Sequence, residues 1–222
     1  MPETIALIGG TGRLGPGLAL RLARAGRPIV IGSRDRGRAA ERASEIAAKV
    51  AAAGGGAAIR GAGNAEAAAE ADLAILTVPY EVQAELLPGL AAPLEGRVVV
   101  STTVPVRFDR VLGPVAVTVP EGSAAEQAAG LLTRSRIVAG FHTVSSAHLS
   151  RLDRELDEDV LLCGDDEDAK REASAVAALI PGVRVVDAGR LGNAAHLEQL
   201  TVLLLSINQR SHRLVGVRLT GL

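Results

Sequence analysis

Aromatic residues are almost missing from the 222-residue sequence: Tyr80, Phe108 and Phe141 are the whole set, and there is no tryptophan. A platform for stacking single-stranded bases therefore has nothing to be built from. An excess of one charge is missing too. The 24 Lys and Arg residues oppose 25 Asp and Glu, for a formal net charge of −1. No long-range field draws the chain toward nucleic acid or an anionic membrane. Cys163 is the single cysteine, so no intrachain disulfide forms, which fits a reducing cytoplasm. The apolar run Val202–Leu205 is far short of the roughly 20 residues that span a bilayer. The opening Met1-Pro2-Glu3-Thr4 lacks a basic segment and a cleavage site and is not read as a signal peptide. The expectation is a soluble, cytoplasmic protein with neither nucleic acid nor membrane as partner. No His/Cys/Asp spacing suggests zinc. The acidic group Asp165, Asp166, Glu167 and Asp168 reads as a helix N-cap, because EF-hand glycine spacing is absent.

What is present is a regular alternation of short apolar runs and helical patterns. Thr4–Ile8, Pro28–Gly32, Ala57–Gly61, Leu73–Val78 and Arg97–Ser101 read as strands. Between them, Arg13–Ala25, Arg36–Ala53, Asn64–Ala71 and Glu81–Leu90 read as helices. Gly26 and Gly54-Gly55-Gly56 supply stop signals. This alternation predicts a doubly wound, mostly parallel α/β sheet of Rossmann type. Thr102–Pro120, with three prolines, reads as a long active-site loop. Then come a helix over Ser123–Thr133, strands at Arg136–Phe141 and Asp159–Cys163, a helix over Asp166–Leu179 and a strand at Val183–Asp187. Asn193–Asn208 reads as a helix apolar nearly all round, which must be buried against the domain or a second subunit. The expected division is residues 1–190 as a dinucleotide-binding domain with extra strands, and residues 191–222 as a small helical C-terminal part.

Gly10-Thr11-Gly12-Arg13-Leu14-Gly15 follows the first strand and opens the first helix, the context that gives a G-x-G-x-x-G pattern meaning. Gly10 suits the tight turn, Gly12 lets backbone donors approach a pyrophosphate, and Gly15 suits close helix–sheet packing. The helix N-terminus offers free N–H groups and partial positive charge. At the end of the second strand stands Gly32-Ser33-Arg34, where sites for NAD usually place a carboxylate. Arg34 matches a 2′-phosphate, Ser33 can donate a hydroxyl, and Arg36 and Arg38 add charge nearby. The preference is therefore NADP; the plain alternative is that Ser33 caps the next helix and Arg34 is solvated. Val78-Pro79-Tyr80 closes the fourth strand, beside the nicotinamide end of a dinucleotide or simply against a loop.

His142 follows an apolar strand end, where a ligand should lie. It suits a ligand contact or a cap on backbone groups. His148 and His196 read as structural or solvent-facing, and the basic group around His212 as solvated. Cys163 has no evident base partner and reads as a small buried residue.

With these pieces in place, the chain resembles the NADPH-dependent F420 reductases, also called F420H2:NADP+ oxidoreductases. The resemblance runs through Ile8 to Ala19, Gly32-Ser33-Arg34, Ala74 to Pro79, Phe141-His142-Thr143-Val144, Cys163-Gly164-Asp165-Asp166, Asp187-Ala188-Gly189 and Leu191 to Thr201. It implies an oxidoreductase exchanging hydride between NADP(H) and the deazaflavin coenzyme F420, working as a homodimer. It places NADP contacts on Gly10, Thr11, Gly12, Arg13, Leu14, Ser33, Arg34, Arg38, Val78 and Pro79. It places His142 as the catalytic candidate and second-substrate contacts on His142, Val144, Ser146 and Gln199. The chain departs from the pattern at Val144-Ser145-Ser146, where the family often has Ile-Pro-Ala, at Gly192, where serine is common, and at Gln199, where a smaller residue is expected. Two other readings share the scaffold: an NADPH-dependent imine or carbonyl reductase, and a non-catalytic NADP(H) sensor.

Overall fold

The computed structural model describes residues 3–222; Met1 and Pro2, the first half of the segment that leads into the first strand, lie outside the described residues. The apolar runs do form buried strands: β1 (Ile5–Ile8), β2 (Ile29–Ser33), β4 (Leu73–Leu76) and β5 (Val98–Ser101) are buried at every position. A strand reads as a continuous apolar run when both faces of its sheet are covered. Ile5 and Leu7 belong to the core on the face covered by α1 (Gly15–Arg24), α2 (Arg36–Ala52) and α7 (Glu167–Ala177), whereas Ala6 and Ile8 belong to the core on the face covered by α3 (Asn64–Glu70), α5 (Ala124–Leu131) and α8 (Ala194–Ser211).

The main sheet has eight strands in the order β10-β9-β8-β5-β4-β1-β2-β3, with β3 at Ile59–Gly63, β8 at Arg136–Ala139, β9 at Glu158–Gly164 and β10 at Val183–Asp187. From β3 to β8 every pairing is parallel. This is the doubly wound dinucleotide-binding order, reversing at β1. β9 runs antiparallel to β8, and β10 parallel to β9. The carboxyl ends of β1, β4, β5 and β8 therefore share one edge with the start of β9.

Three expectations change. The stretch expected as one long loop carries a hairpin, β6 (Val106–Asp109) and β7 (Gly113–Ala116). Asp109 holds its turn by accepting from the Val111 and Leu112 N–H groups at 2.8 and 2.9 Å, and Pro114 is tolerated in a two-stranded ribbon whose strands are both edges. The expected helix Glu81–Leu90 divides into α4 (Tyr80–Leu86) and a 3-10 turn, Leu87–Leu90, where Pro88 removes an N–H. α8 is not covered all round in the single chain: Leu203 is 56% and Ile207 40% exposed. A further short helix, α6 (Ser146–Leu149), is capped by the Ser145 side chain.

The C-terminal residues beyond α8 are stitched to β9. Asp159 is fully buried and accepts from Arg184 at 3.0 and 2.7 Å, from Arg218 at 3.1 Å and from the Leu219 N–H at 2.7 Å. The Arg184 guanidinium, aided by Leu219, holds the Asp159 carboxyl below the usual carboxylate range. A depressed pKa stabilises the fold above the unfolded value and loses that contribution as pH falls through the folded one. Asp159→Ala should cost about 2–3 kcal/mol in urea unfolding at pH 7. The gap between variant and wild type should narrow below about pH 3.9, the ordinary aspartate value. A constant gap from pH 7 to pH 3 would mean that the charge contributes nothing.

Candidate active site

The glycine turn is built by close approaches. The left-handed residue is Gly9, at φ 73°, so the tight turn assigned in sequence to Gly10 belongs one residue earlier. A Cβ on Gly9 would lie 2.5 Å from Val78. Gly10 is glycine for another reason: a Cβ there would lie 2.8 Å from Leu7, while its N–H reaches the Leu7 and Gly32 carbonyls at 3.0 and 2.9 Å. A Cβ on Gly15 would strike the Gly10 carbonyl at 2.4 Å, which lets α1 press against the turn. Gly12 differs. Its Cβ would meet nothing nearer than 3.5 Å, and the residue is exposed. Nothing inside the protein requires glycine there, whereas a ligand lying against the backbone does.

Beside Gly12, the N-terminus of α1 has no side-chain cap, with Leu14 at the cap position and Pro16 within the first turn. α2, α5 and α7 are capped by Asp35, Ser123 and Asp166 respectively. Thr11 and Leu14 are half-buried and Arg13 is exposed. An uncapped helix start behind an open glycine is a cradle for phosphate.

At the end of β2, Ser33 is buried and its hydroxyl accepts from the Asp35 N–H at 3.2 Å. The cap of α2 is Asp35, accepting from the Arg38 N–H at 3.1 Å, so Ser33 is not the cap. Arg36 is engaged by Glu66 at 3.0 Å. The exposed Arg34 and Arg38 side chains have no ion pair among the described residues. Two free guanidinium groups flank the edge of the nucleotide cradle where a 2′-phosphate would sit.

From this cradle a chain of contacts leads to the second half. Gly9 abuts Val78, which is 7% exposed, and Pro79 stands exposed at the N-cap position of α4 without capping it. The Thr103 hydroxyl donates to the Val78 carbonyl at 3.2 Å, as Thr102 does to Leu76 at 2.7 Å. The Thr103 backbone lies beside His142. His142 follows Phe141, a fully buried aromatic in the left-handed region at φ 62°. Such a residue is strained, and strain of this kind persists only where packing enforces it. The Thr201 hydroxyl shares its proton between the His142 carbonyl at 2.9 Å and the Leu197 carbonyl at 3.1 Å, tying α8 to this corner.

His142 is 6% exposed, and neither ring nitrogen meets a partner at full hydrogen-bonding geometry among the described residues, although the Thr103 main chain is close enough to act on the ring. Burial pushes its pKa down to about 4, against a small opposing effect of the Thr103 backbone. It is therefore neutral at physiological pH, one nitrogen a donor and the other an acceptor. A buried polar ring with no better contact than this costs free energy.

Val144 is buried in the core shared with α1, and Ser146 is half-buried on α6 against that helix. Gln199 is exposed on α8 and, with Pro105, Val117, Thr118, Glu198 and Val202, lines a cavity of about 150 Å³. Glu198, not singled out in sequence, is 3% exposed and accepts from the Ala124 and Ala125 N–H groups at 3.0 and 3.1 Å, fixing α8 to the start of α5. Burial pushes its carboxyl up to about 7. Cys163 is fully buried, and burial pushes its thiol up to about 12, the state of an inert small residue. His148 is tied to Glu158 at 2.5 Å. Among the described residues no group of His, Cys, Asp or Glu is arranged to hold a metal, and no helix is long and apolar enough to cross a membrane.

A parallel sheet reversing at β1, a phosphate cradle with free arginines and a buried neutral imidazole define a dinucleotide-binding fold of the oxidoreductase type. Residues 4–105 match the family described as NADP oxidoreductase, coenzyme F420-dependent. The chain is 42% identical over 98% of its length to the F420-dependent NADP reductase of Methanothermobacter marburgensis, and 39% identical over 98% to that of Methanocaldococcus jannaschii; 98% of each relative is covered. The chain belongs to the F420-dependent NADP reductase family. Among solved structures, a candidate F420-dependent NADP-reductase from Arthrobacter sp. FB24 superposes over 99% of this chain and 100% of its own, with a TM-score of 0.79 at 23% identity. An imine reductase from Bacillus cereus shares the fold over 94% of this chain and 63% of its own, with a TM-score of 0.64 at 20% identity.

Two substitutions separate fold from ligand. Gly12→Ala should leave the melting temperature unchanged, since the Cβ has room, and should weaken NADPH binding by about tenfold or more. Arg34→Ala should weaken NADPH binding by about 10- to 100-fold, the loss of one charge-assisted contact, with NADH binding nearly unaffected. Titration of both nucleotides against each variant reads these effects; equal losses for NADPH and NADH in Arg34→Ala would remove the 2′-phosphate assignment.

Proposed function

We propose that this protein transfers hydride reversibly between NADP(H) and the deazaflavin coenzyme F420, and that residues 3–190 hold the nucleotide while residues 191–222 wall the acceptor. The observation that carries the reading is the continuous path from the uncapped start of α1, through Val78 and Thr103, to the buried ring of His142. When bound, the nicotinamide supplies a hydride and the deazaflavin accepts it, with one proton, in the direction of F420 reduction.

The residues bind, orient and exclude water. The backbone at Gly10, Thr11, Gly12, Arg13 and Leu14 would hold the pyrophosphate, and Ser33, Arg34 and Arg38 the 2′-phosphate. Val78 and Pro79 would border the nicotinamide. Gln199 would face the deazaflavin from the cavity beside α8, while the covered His142 and Val144 and the half-buried Ser146 would shape its site from behind. Hydride transfer needs little more, because aligned reactive carbons about 3–3.5 Å apart gain most of the available acceleration. A neutral imidazole serves as a directional hydrogen-bond partner and is a poor acid. The imine-reductase reading is weakened instead by the relatives, which at 39–42% identity are F420-dependent NADP reductases.

We also propose that two copies pair. Phe108, Val111 and Leu112 on the hairpin are 65%, 90% and 72% exposed, and Leu203 and Ile207 stand open on α8. The two elements meet where Gly113 packs against Gln209. Burying such apolar surface favours association. Cys163 fits a reducing cytoplasm.

Anaerobic mixing with NADPH should bleach the visible absorbance of oxidised F420, with little effect from NADH; no bleaching despite NADPH binding would sink the reading. His142→Ala should lower kcat/KM for F420 by about 10- to 100-fold, the loss of a positioned polar contact, with NADPH affinity kept. Because His142 is neutral above about pH 4, the wild-type pH profile should show no step near 6.5, the ordinary histidine value, that the variant abolishes.

A further inference from the structure

Arg21, on α1, is 4% exposed although it carries a charge. Its guanidinium is given to the main chain of one distant segment. Nε donates to the Leu149 carbonyl at 3.0 Å, and Nη2 to His148 at 3.2 Å, to Arg154 at 2.9 Å and to Arg151. Arg24 adds a bond to the Leu152 carbonyl at 3.1 Å. Several of these acceptors lie at and just beyond the carboxyl end of α6, where unpaired carbonyls and the helix dipole favour a cation. One turn earlier on α1, Gly17 lets α6 come close: a Cβ on Gly17 would lie 2.7 Å from Leu149 Cβ.

This contact joins the two halves of the site. α1 begins at the phosphate cradle, and Arg21 stands about 9 Å along its axis, six residues at 1.5 Å each. α6 begins four residues after His142, and Val144 packs into the same core as Leu18. The other ties on this wall lead elsewhere: Thr201 belongs to α8, and Glu158, which accepts from the Ser145 N–H at 3.0 Å, belongs to β9. Arg21 and the Gly17 contact connect it to the nucleotide helix itself. The planar fork of arginine can serve several carbonyls at once, which a lysine ammonium on its flexible stem cannot match.

We propose that Arg21 is a positioning residue for hydride transfer, setting the distance between the nucleotide helix and the wall that carries His142, Val144 and Ser146. The inference rests on the F420 reading above. Donor–acceptor distance is the quantity to which this reaction is most sensitive, since misplacement by about 1 Å can cost about 100-fold.

The test mixes preformed NADPH complexes of wild type, Arg21→Lys and Gly17→Ala with oxidised F420 anaerobically, using NADPH with and without deuterium at the transferred position. Gly17→Ala displaces α6 without touching the arginine, and it keeps the idea testable if Arg21→Lys fails to fold. Both variants should slow hydride transfer by about tenfold or more and raise the steady-state isotope effect, with the NADPH Kd within about twofold of wild type. Lower melting temperatures with an unchanged transfer rate in the folded protein would overturn the proposal, leaving Arg21 a purely structural residue. So would NADPH affinity falling as far as the rate. If wild type itself does not bleach F420, the reaction reading fails and takes this inference with it. If wild type bleaches F420 and both variants match it, the positioning role alone fails.

Discussion

Parallel hydrogen bonding among β1, β4, β5 and β8 forces four strand ends onto one edge of the sheet. The central groups of the candidate site hang from that edge. The glycine turn leaves β1, Val78 follows β4, Thr102 and Thr103 follow β5, and His142 follows β8. The ends are locked to one another by short side-chain bonds, Thr77 to Ile8, Thr102 to Leu76 and Thr103 to Val78. A parallel sheet needs a helix between successive strands and cover on both faces. The alanine-rich helices supply that cover at small side-chain cost, because Ala67, Ala68, Ala125 and Ala128 let them lie close to the sheet.

Electrostatics divides the site in two. On the proposed nucleotide side, charge is exposed and free: Arg34 and Arg38 would keep their solvation until a dianionic phosphate arrived, so specificity would be gained without a buried unpaired cation. On the acceptor side, charge is removed. Burial keeps His142 neutral, and the buried carboxyl groups around this half are engaged elsewhere, Glu198 by the start of α5, Glu158 by Ser145 and His148, and Asp159 by Arg184 and Arg218. A neutral, water-poor wall suits hydride transfer, in which the protein's main contribution is alignment.

The nucleotide half was legible in sequence because its determinants are local. Glycine spacing, a strand before and a helix after fall within one stretch, and Ser33-Arg34 closes the very next strand. Misreading Gly10 for Gly9 as the left-handed residue was a matter of one position, since both glycines are needed for different close approaches. The acceptor half was less legible because its contacts are distant. Arg21 looks like any helix arginine until Leu149, 128 residues away, is brought beside it. Glu198 looks like the polar side of α8 and becomes a cap only when α5 arrives. The hairpin was hidden by Pro114 and by its brevity, since Val106–Asp109 alternates apolar and polar over only four residues. The antiparallel entry of β9 left no mark in sequence, because a buried strand is apolar whichever way it runs.

The two halves are therefore held by different means, and this bears on where specificity can change. The cradle is made of backbone, so almost any substitution at Gly9, Gly10 or Gly15 meets main chain or core atoms within 3 Å. The acceptor wall is made of side chains pinned from outside by Arg21, Glu158, Glu198 and Thr201. Its ligand-facing positions can vary while those anchors keep the frame. The departures from the family pattern at Val144-Ser145-Ser146, Gly192 and Gln199 lie on this second wall or on the turn leading into α8, whereas on the nucleotide side Arg38 keeps the charge of the lysine usual there. Ser145 shows how such a change is absorbed. Where the family often has proline, its hydroxyl caps α6 and its N–H, which proline would lack, is taken by Glu158. The extra hydrogen bond replaces ring rigidity with a polar tether, and the corner that presents His142 stays in place.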